Sequence, residues 1–139
     1  MSSSQCNNDK NSKFNVHQLN CNGLLSVNRA VELKLYMYSS KLDIMCLCET
    51  FIKSKSREPK FVGYHEPYSV YRENANRGGL SIIVKETINF KVINLLPFAG
   101  GHLEYQAITV QTEIGRVDIL NLYNPHKVVL KGLRRIPSL

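Results

Sequence analysis

Alternation and helical spacing divide the chain into short segments. Phe14 to Asn20 alternates weakly between apolar and polar residues and predicts a first strand, which Cys21-Asn22-Gly23 breaks. Ser26 is a residue type that caps helices. Val27, Ala30, Val31, Leu35 and Tyr38 follow at helical spacing, with Asn28, Arg29 and Glu32 on the other face. This pattern predicts a helix closed by Lys41-Leu42-Asp43. Ile44 to Cys48 is almost wholly apolar and stops at Glu49, as expected of a buried strand.

The rest is strand-rich. Phe51 to Lys60 reads as a basic loop. Phe61 to Arg72 carries Tyr64, Tyr68, Val70 and Tyr71, punctuated by Gly63 and Pro67. Arg77-Gly78-Gly79 predicts a turn, Leu80 to Lys85 a strand and Ile88 to Leu96 another. Pro97 to Gly101 reads as a loop. Leu103 to Gln111 and Val117 to Leu122 predict a hairpin whose turn contains Gly115. One helix between two strands, followed by a meander, implies an α/β or α+β fold with mixed sheets.

Composition narrows the class. The chain has 139 residues, 43% of them hydrophobic and 21% charged, which is a globular balance. Residues 1–13 are polar and predict a loose tail. Ile44 to Cys48 is the longest apolar run, far short of the about 20 residues that a bilayer span needs. The N-terminus has neither a basic nor an apolar signal-peptide region. Cys21, Cys46 and Cys48 lie in apolar or mixed segments, and Cys6 in the polar tail. This usage fits a reduced compartment, so the expected location is intracellular, in nucleus or cytoplasm.

The net charge is +7 and is concentrated. Lys53, Lys55, Arg57 and Lys60, less Glu58, carry +3; Lys127, Lys131, Arg134 and Arg135 carry +4. Such clusters suit a polyanion such as nucleic acid, and equally a pair of solvated loops.

Candidate chemistry starts with Asn20 and Glu49. Each stands just past a strand, and one helix separates the two strands. In a parallel strand–helix–strand unit both strand ends reach the same sheet edge, where binding sites form. Asn22 falls nearby. A carboxylate with two amides is a hard-oxygen set that suits magnesium with several retained waters. The plainer reading makes Glu49 a surface residue and Asn20 a turn residue.

Four segments carry a resemblance. Gln18-Leu19-Asn20-Cys21-Asn22-Gly23-Leu24 resembles the opening motif of the endonuclease/exonuclease/phosphatase superfamily. Asp43 to Thr50 resembles its second motif, whose glutamate holds the metal. Asn76 to Val84 resembles the Gly-Gly strand of the retrotransposon branch. Leu120 to His126 resembles the motif with the active-site tyrosine. They occur in the family's order. The nearest group is the apurinic-endonuclease-like endonuclease domain of non-LTR retrotransposons.

The resemblance implies a fold, a cofactor and roles. The fold would be the N-terminal part of a two-sheet β-sandwich flanked by helices, of the DNase I-like type and truncated, over residues 14–126. Residues 127–139 match no family motif and would form a basic tail. Glu49 would hold Mg2+, or Mn2+, with Asn22 in the place of an acid that assists in many relatives. Asn20 would orient the attacking water or a phosphate oxygen, and Tyr123 would contact the scissile phosphate. His126 could donate to a phosphate. Arg72 and Arg77, beside the glycine turn, would contact DNA, as would Lys53, Lys55 and Arg57. The implied partners are DNA and, in a full-length element, a reverse transcriptase domain.

The family's later Asp-x-Asn, Asp and Ser-Asp-His motifs have no counterpart. The only aspartates are Asp9, Asp43 and Asp118, and none precedes a histidine. A non-catalytic nucleic-acid-binding remnant, or a fragment without function, is therefore the competing reading. The remaining candidates read as structural. Cys46 and Cys48 share a strand face and suit buried thiols better than a zinc site with Cys21. His17, His65 and His102 lack partners at recognisable spacing. Glu104 reads as a solvent-side strand residue, and the Tyr64, Tyr68 and Tyr71 cluster as packing.

Overall fold

The computed structural model describes residues 14–72, 77–96 and 103–124. Its elements are β1 (Val16–Asn20), α1 (Val27–Ser39), β2 (Ile44–Cys48), a single 3₁₀ turn (Lys55–Arg57), β3 (Tyr68–Val70), β4 (Leu80–Val84), β5 (Phe90–Ile93), β6 (Glu104–Thr112) and β7 (Gly115–Tyr123). They form an α+β fold with two sheets and one helix. The first sheet has the order β1-β2-β4-β3 and the second β5-β6-β7. Strands β1 and β2 are parallel, with Asn20 level with Cys48, and every other pairing is antiparallel.

Alternation along β2 and β4 builds two cores. Met45, Leu47 and Ile83 point to one side of the first sheet and pack with Leu33 and Met37 of α1, together with Leu24, Leu42, Ile52 and Phe61. Ile44, Cys46, Ile82 and Val84 point to the other side and meet Ile108 and Val110 of β6. The first sheet is therefore the middle layer, between the helix and the second sheet. Both of its central strands are buried throughout, as a strand covered on two faces must be.

The helix presents a different face from the one expected. Leu33 and Met37 are its buried residues, whereas Val27, Val31, Leu35 and Tyr38 are exposed, Val27 by 77% and Leu35 by 65%. The helix is apolar along two stripes, and packing against Met45 and Leu47 selects one of them. Ser26 occupies the N-cap position with no side-chain cap; only its carbonyl accepts from the Ala30 N–H, at 3.1 Å. At the other end Lys41 takes a left-handed φ of +48°, and the Leu42 N–H returns to the Met37 carbonyl at 3.3 Å. That is a Schellman-type close.

Between Phe61 and Arg72 only Tyr68–Val70 is strand. Gly63 turns the chain with φ +85°, and Pro67 has no N–H to give a ladder. The tyrosines there pack: Tyr64 donates to the Leu42 carbonyl at 2.7 Å and borders the helix-side core with Tyr71, while Tyr68 borders the inter-sheet core. His17 bonds to the Tyr36 hydroxyl, and His65 to the Ile88 carbonyl at 2.8 Å. The polar tail, Cys6, the Pro97–Gly101 loop, His102, His126 and the basic segment from Lys127 onward lie outside the described residues. No helix among those described is long and apolar enough to cross a membrane.

Candidate functional site

At one end of the sandwich the inner faces turn from apolar to polar. On the β6–β7 hairpin the inward pairs run from Val110 with Val117 and Ile108 with Ile119 to Gln106 with Asn121 and Glu104 with Tyr123. Asn121 is fully buried. Its Nδ2 donates to the Leu47 carbonyl (2.9 Å) and Gln106 Oε1 (3.0 Å), and its Oδ1 accepts from Gln18 Nε2 (3.2 Å). Gln106 in turn donates to the Tyr68 carbonyl at 2.9 Å. This chain of amides ties β1 and β2 to the hairpin one step below the last pair, Glu104 and Tyr123.

Asn20 and Glu49 reach the same sheet edge, as the parallel register requires. Past the two strands the backbones stay paired: the Cys21 N–H donates to the Cys48 carbonyl (3.0 Å), Gly23 to Glu49 (2.7 Å) and Leu24 to Thr50 (2.9 Å). The Asn20 side chain turns back, its Oδ1 accepting the Asn22 N–H at 3.1 Å. Asn22 is exposed, with φ +44°. Arg29 spans this loop from the helix, donating to the Asn22 carbonyl and, at 3.0 Å, to that of Cys21.

The glycine pair holds Glu49 from the other side. The Thr50 N–H donates to the Gly79 carbonyl (3.2 Å) and the Phe51 N–H to that of Gly78 (2.8 Å). Gly78 and Gly79 both have φ +96°, and Glu49 itself has φ +52°. A left-handed non-glycine backbone costs roughly 1–2 kcal/mol; the surrounding ladder imposes it here. Tyr123, at the end of β7, donates its hydroxyl to Glu49 Oε1. Residues from both sheets thus meet in one hydrogen bond. The Glu49 carboxylate beside it, together with partial burial, pushes the Tyr123 phenol up to about 12.

That shift has a sign. A raised tyrosine pKa stabilises the folded state below the unfolded value near 10, and the gain is lost as pH rises towards 12. In alkaline absorbance titrations, the contribution isolated by Tyr123→Phe is expected near pH 12. In a Glu49→Gln background it should drop towards 10. An unchanged midpoint would place the tyrosine away from the carboxylate.

Glu104 departs from the expectation of a solvent-side residue. It points inward because the β6 register puts it on the face of Gln106, Ile108 and Val110. Its Oε1 accepts the Gly79 N–H at 2.6 Å, and its Oε2 is buried with no partner. The signal was readable as a polar end to the inward stripe of both hairpin strands. Burial first, then Glu49 and Glu104, push the Cys48 thiol up to about 11. Burial does the same for Cys21 and Cys46, which raises the cost of deprotonating any of the three.

The side-chain donors at this edge are carboxylate oxygens, the ligand type that hard divalent cations take. Among the described residues neither Glu49 nor Glu104 is ion-paired, so the edge carries negative charge around an unpartnered oxygen. No three His, Cys, Asp or Glu side chains come together there as a metal group. Magnesium asks for less: one or two carboxylates, waters and a substrate phosphate. Glu49 would be its main protein ligand.

The cations lie around this edge. Arg72 packs its stem over Gly78, and Arg77 is exposed beside it. Lys55 pairs with Glu66 at 2.9 Å, both largely in solvent. Lys53 and Arg57 have no ion pair among the described residues. No family model matches the chain, and no curated protein matches it.

Proposed function

We propose that this chain is the N-terminal part of a magnesium-dependent DNA endonuclease domain of the endonuclease/exonuclease/phosphatase type, of the DNase I-like fold and akin to those of non-LTR retrotransposons, incomplete for catalysis on its own. The observation that carries the reading is the Tyr123–Glu49 hydrogen bond. The two residues are 74 positions apart: Glu49 directly follows β2 of the first sheet, and Tyr123 ends β7 of the second. The sequence motifs nominate them separately, one for phosphate and one for metal.

Cleaving a phosphodiester requires neutralising charge on the phosphoryl oxygens, activating a water and protonating the leaving oxygen. A divalent ion at Glu49 would supply the first. Tyr123 and Asn20 would orient phosphate and water. The motif residues include no general base, so on this reading the isolated chain binds metal and DNA without cutting efficiently. The competing reading, a non-catalytic nucleic-acid-binding remnant, draws on Lys53 and Arg57, which have no ion pair among the described residues.

Metal separates the two. Mn2+ added to the labelled chain is expected to broaden the amide resonances of residues 20–24 and 49–51, and Glu49→Ala should abolish this. Supercoiled plasmid with Mg2+ should show little or no nicking by the isolated chain. Broadening elsewhere, or none, would leave the remnant reading. Strong nicking that survives Glu49→Ala would sink both.

A further inference from the structure

Phe51 follows Glu49 by two residues and has a left-handed φ of +58°. One flank of its ring rests on Gly23, where a Cβ would come within 2.7 Å of the ring. The ring is only half-buried, and with Leu25, Lys53, Ser54 and Arg57 it lines a cavity of about 440 Å³. Leu25 is 52% exposed. An apolar, aromatic wall thus stands beside two cations that nothing among the described residues neutralises. Lys55, which stands between them in the chain, is the one held by Glu66.

We infer that this cavity is a subsite for an unstacked nucleotide of single-stranded DNA, the base lying against Phe51 and Leu25 and the flanking phosphates against Lys53 and Arg57. The inference rests on the proposed endonuclease reading, because it places a strand leaving the Glu49 edge across this wall. Charge complementarity commits the occupant: two cations with no ion pair among the described residues flank an aromatic surface, and the pocket is of nucleotide scale. A duplex keeps its bases stacked and offers only phosphates, whereas a single strand offers both.

The chain contains no tryptophan, so Phe51→Trp creates a sole reporter at the wall. Oligo(dT) is expected to quench its fluorescence, and duplex DNA of equal length to bind with little quenching. Phe51→Leu should weaken oligo(dT) binding about tenfold while leaving the salt slope unchanged. Lys53→Ala with Arg57→Ala should lower the slope on single strands by about 1.4, and Lys55→Ala by far less. Binding without quenching, or equal quenching by the duplex, overturns the subsite. Circular dichroism of each variant confirms that it is folded. Quenching that persists where Mn2+ fails to find Glu49 would retain the subsite and refute the endonuclease reading alone.

Discussion

Replacing Gly79 with alanine is expected to cost the fold roughly 3 kcal/mol, combining backbone strain with overpacking. Two causes add. Gly79 has φ +96°, where an L side chain is strained. Its new Cβ would also lie 2.5 Å from Thr50 Oγ1, and Thr50 is buried at 1% exposure. Thr50 cannot retreat freely, because its N–H is bonded to Gly79 and its carbonyl to Leu24. A loss of this size is a large share of an ordinary domain's stability, about 5–15 kcal/mol. Gly63 is the control: φ +85° with nothing within 4 Å of its Cβ position. Gly63→Ala should show strain alone, about 1 kcal/mol. Urea midpoints for the two variants separate strain from clash. Equal losses would mean that the Thr50 loop, and Glu49 with it, moves aside easily.

The second large effect is expected at Asn121→Asp, an isosteric change. The amide nitrogen that donates to Leu47 and Gln106 becomes an oxygen facing those same acceptors. Gln106 cannot simply turn over, since its own nitrogen is committed to the Tyr68 carbonyl. An uncompensated buried carboxylate costs about 3–5 kcal/mol. The sign with pH is fixed. Burial among acceptors raises the folded-state pKa above the unfolded value near 3.9. The charge penalty is therefore absent below that value, grows as pH rises above it, and is complete once pH passes the raised folded-state value. Denaturation at pH 7 and at pH 3.5, each against the parent chain, measures it. A penalty identical at both pH values would show that water reaches Asn121.

Much of the sandwich was legible because its signals are local. Ile44 to Cys48 and Leu80 to Val84 are short apolar runs, and Gly115 marks the hairpin at the residue that opens β7. The shared edge of Asn20 and Glu49 followed from strand direction alone. What was not legible depends on partners distant in sequence. Periodicity pointed to the stripe Val27, Ala30, Val31, Leu35 and Tyr38 on α1, whereas packing against Met45, Leu47 and Ile83 selects Leu33 and Met37. Glu104 read as exposed until the hairpin register turned it inward, and the ties of Asn121 to β1, β2, β4 and β6 depend on the same register. Lys55 could not be told from Lys53 without Glu66 beside it.

Glu49 holds its carboxylate on a backbone of φ +52°, a conformation that glycine adopts without penalty. Strain and side-chain bonding therefore pull in opposite directions at this codon. A change to glycine, one nucleotide away, would relieve the backbone but forfeit the hydrogen bond from Tyr123 that joins the end of β7 to the first sheet. The same position thus trades a local relaxation against a tie between the two layers, and a substitution there changes how firmly the sheets are held together at this end rather than the strain alone.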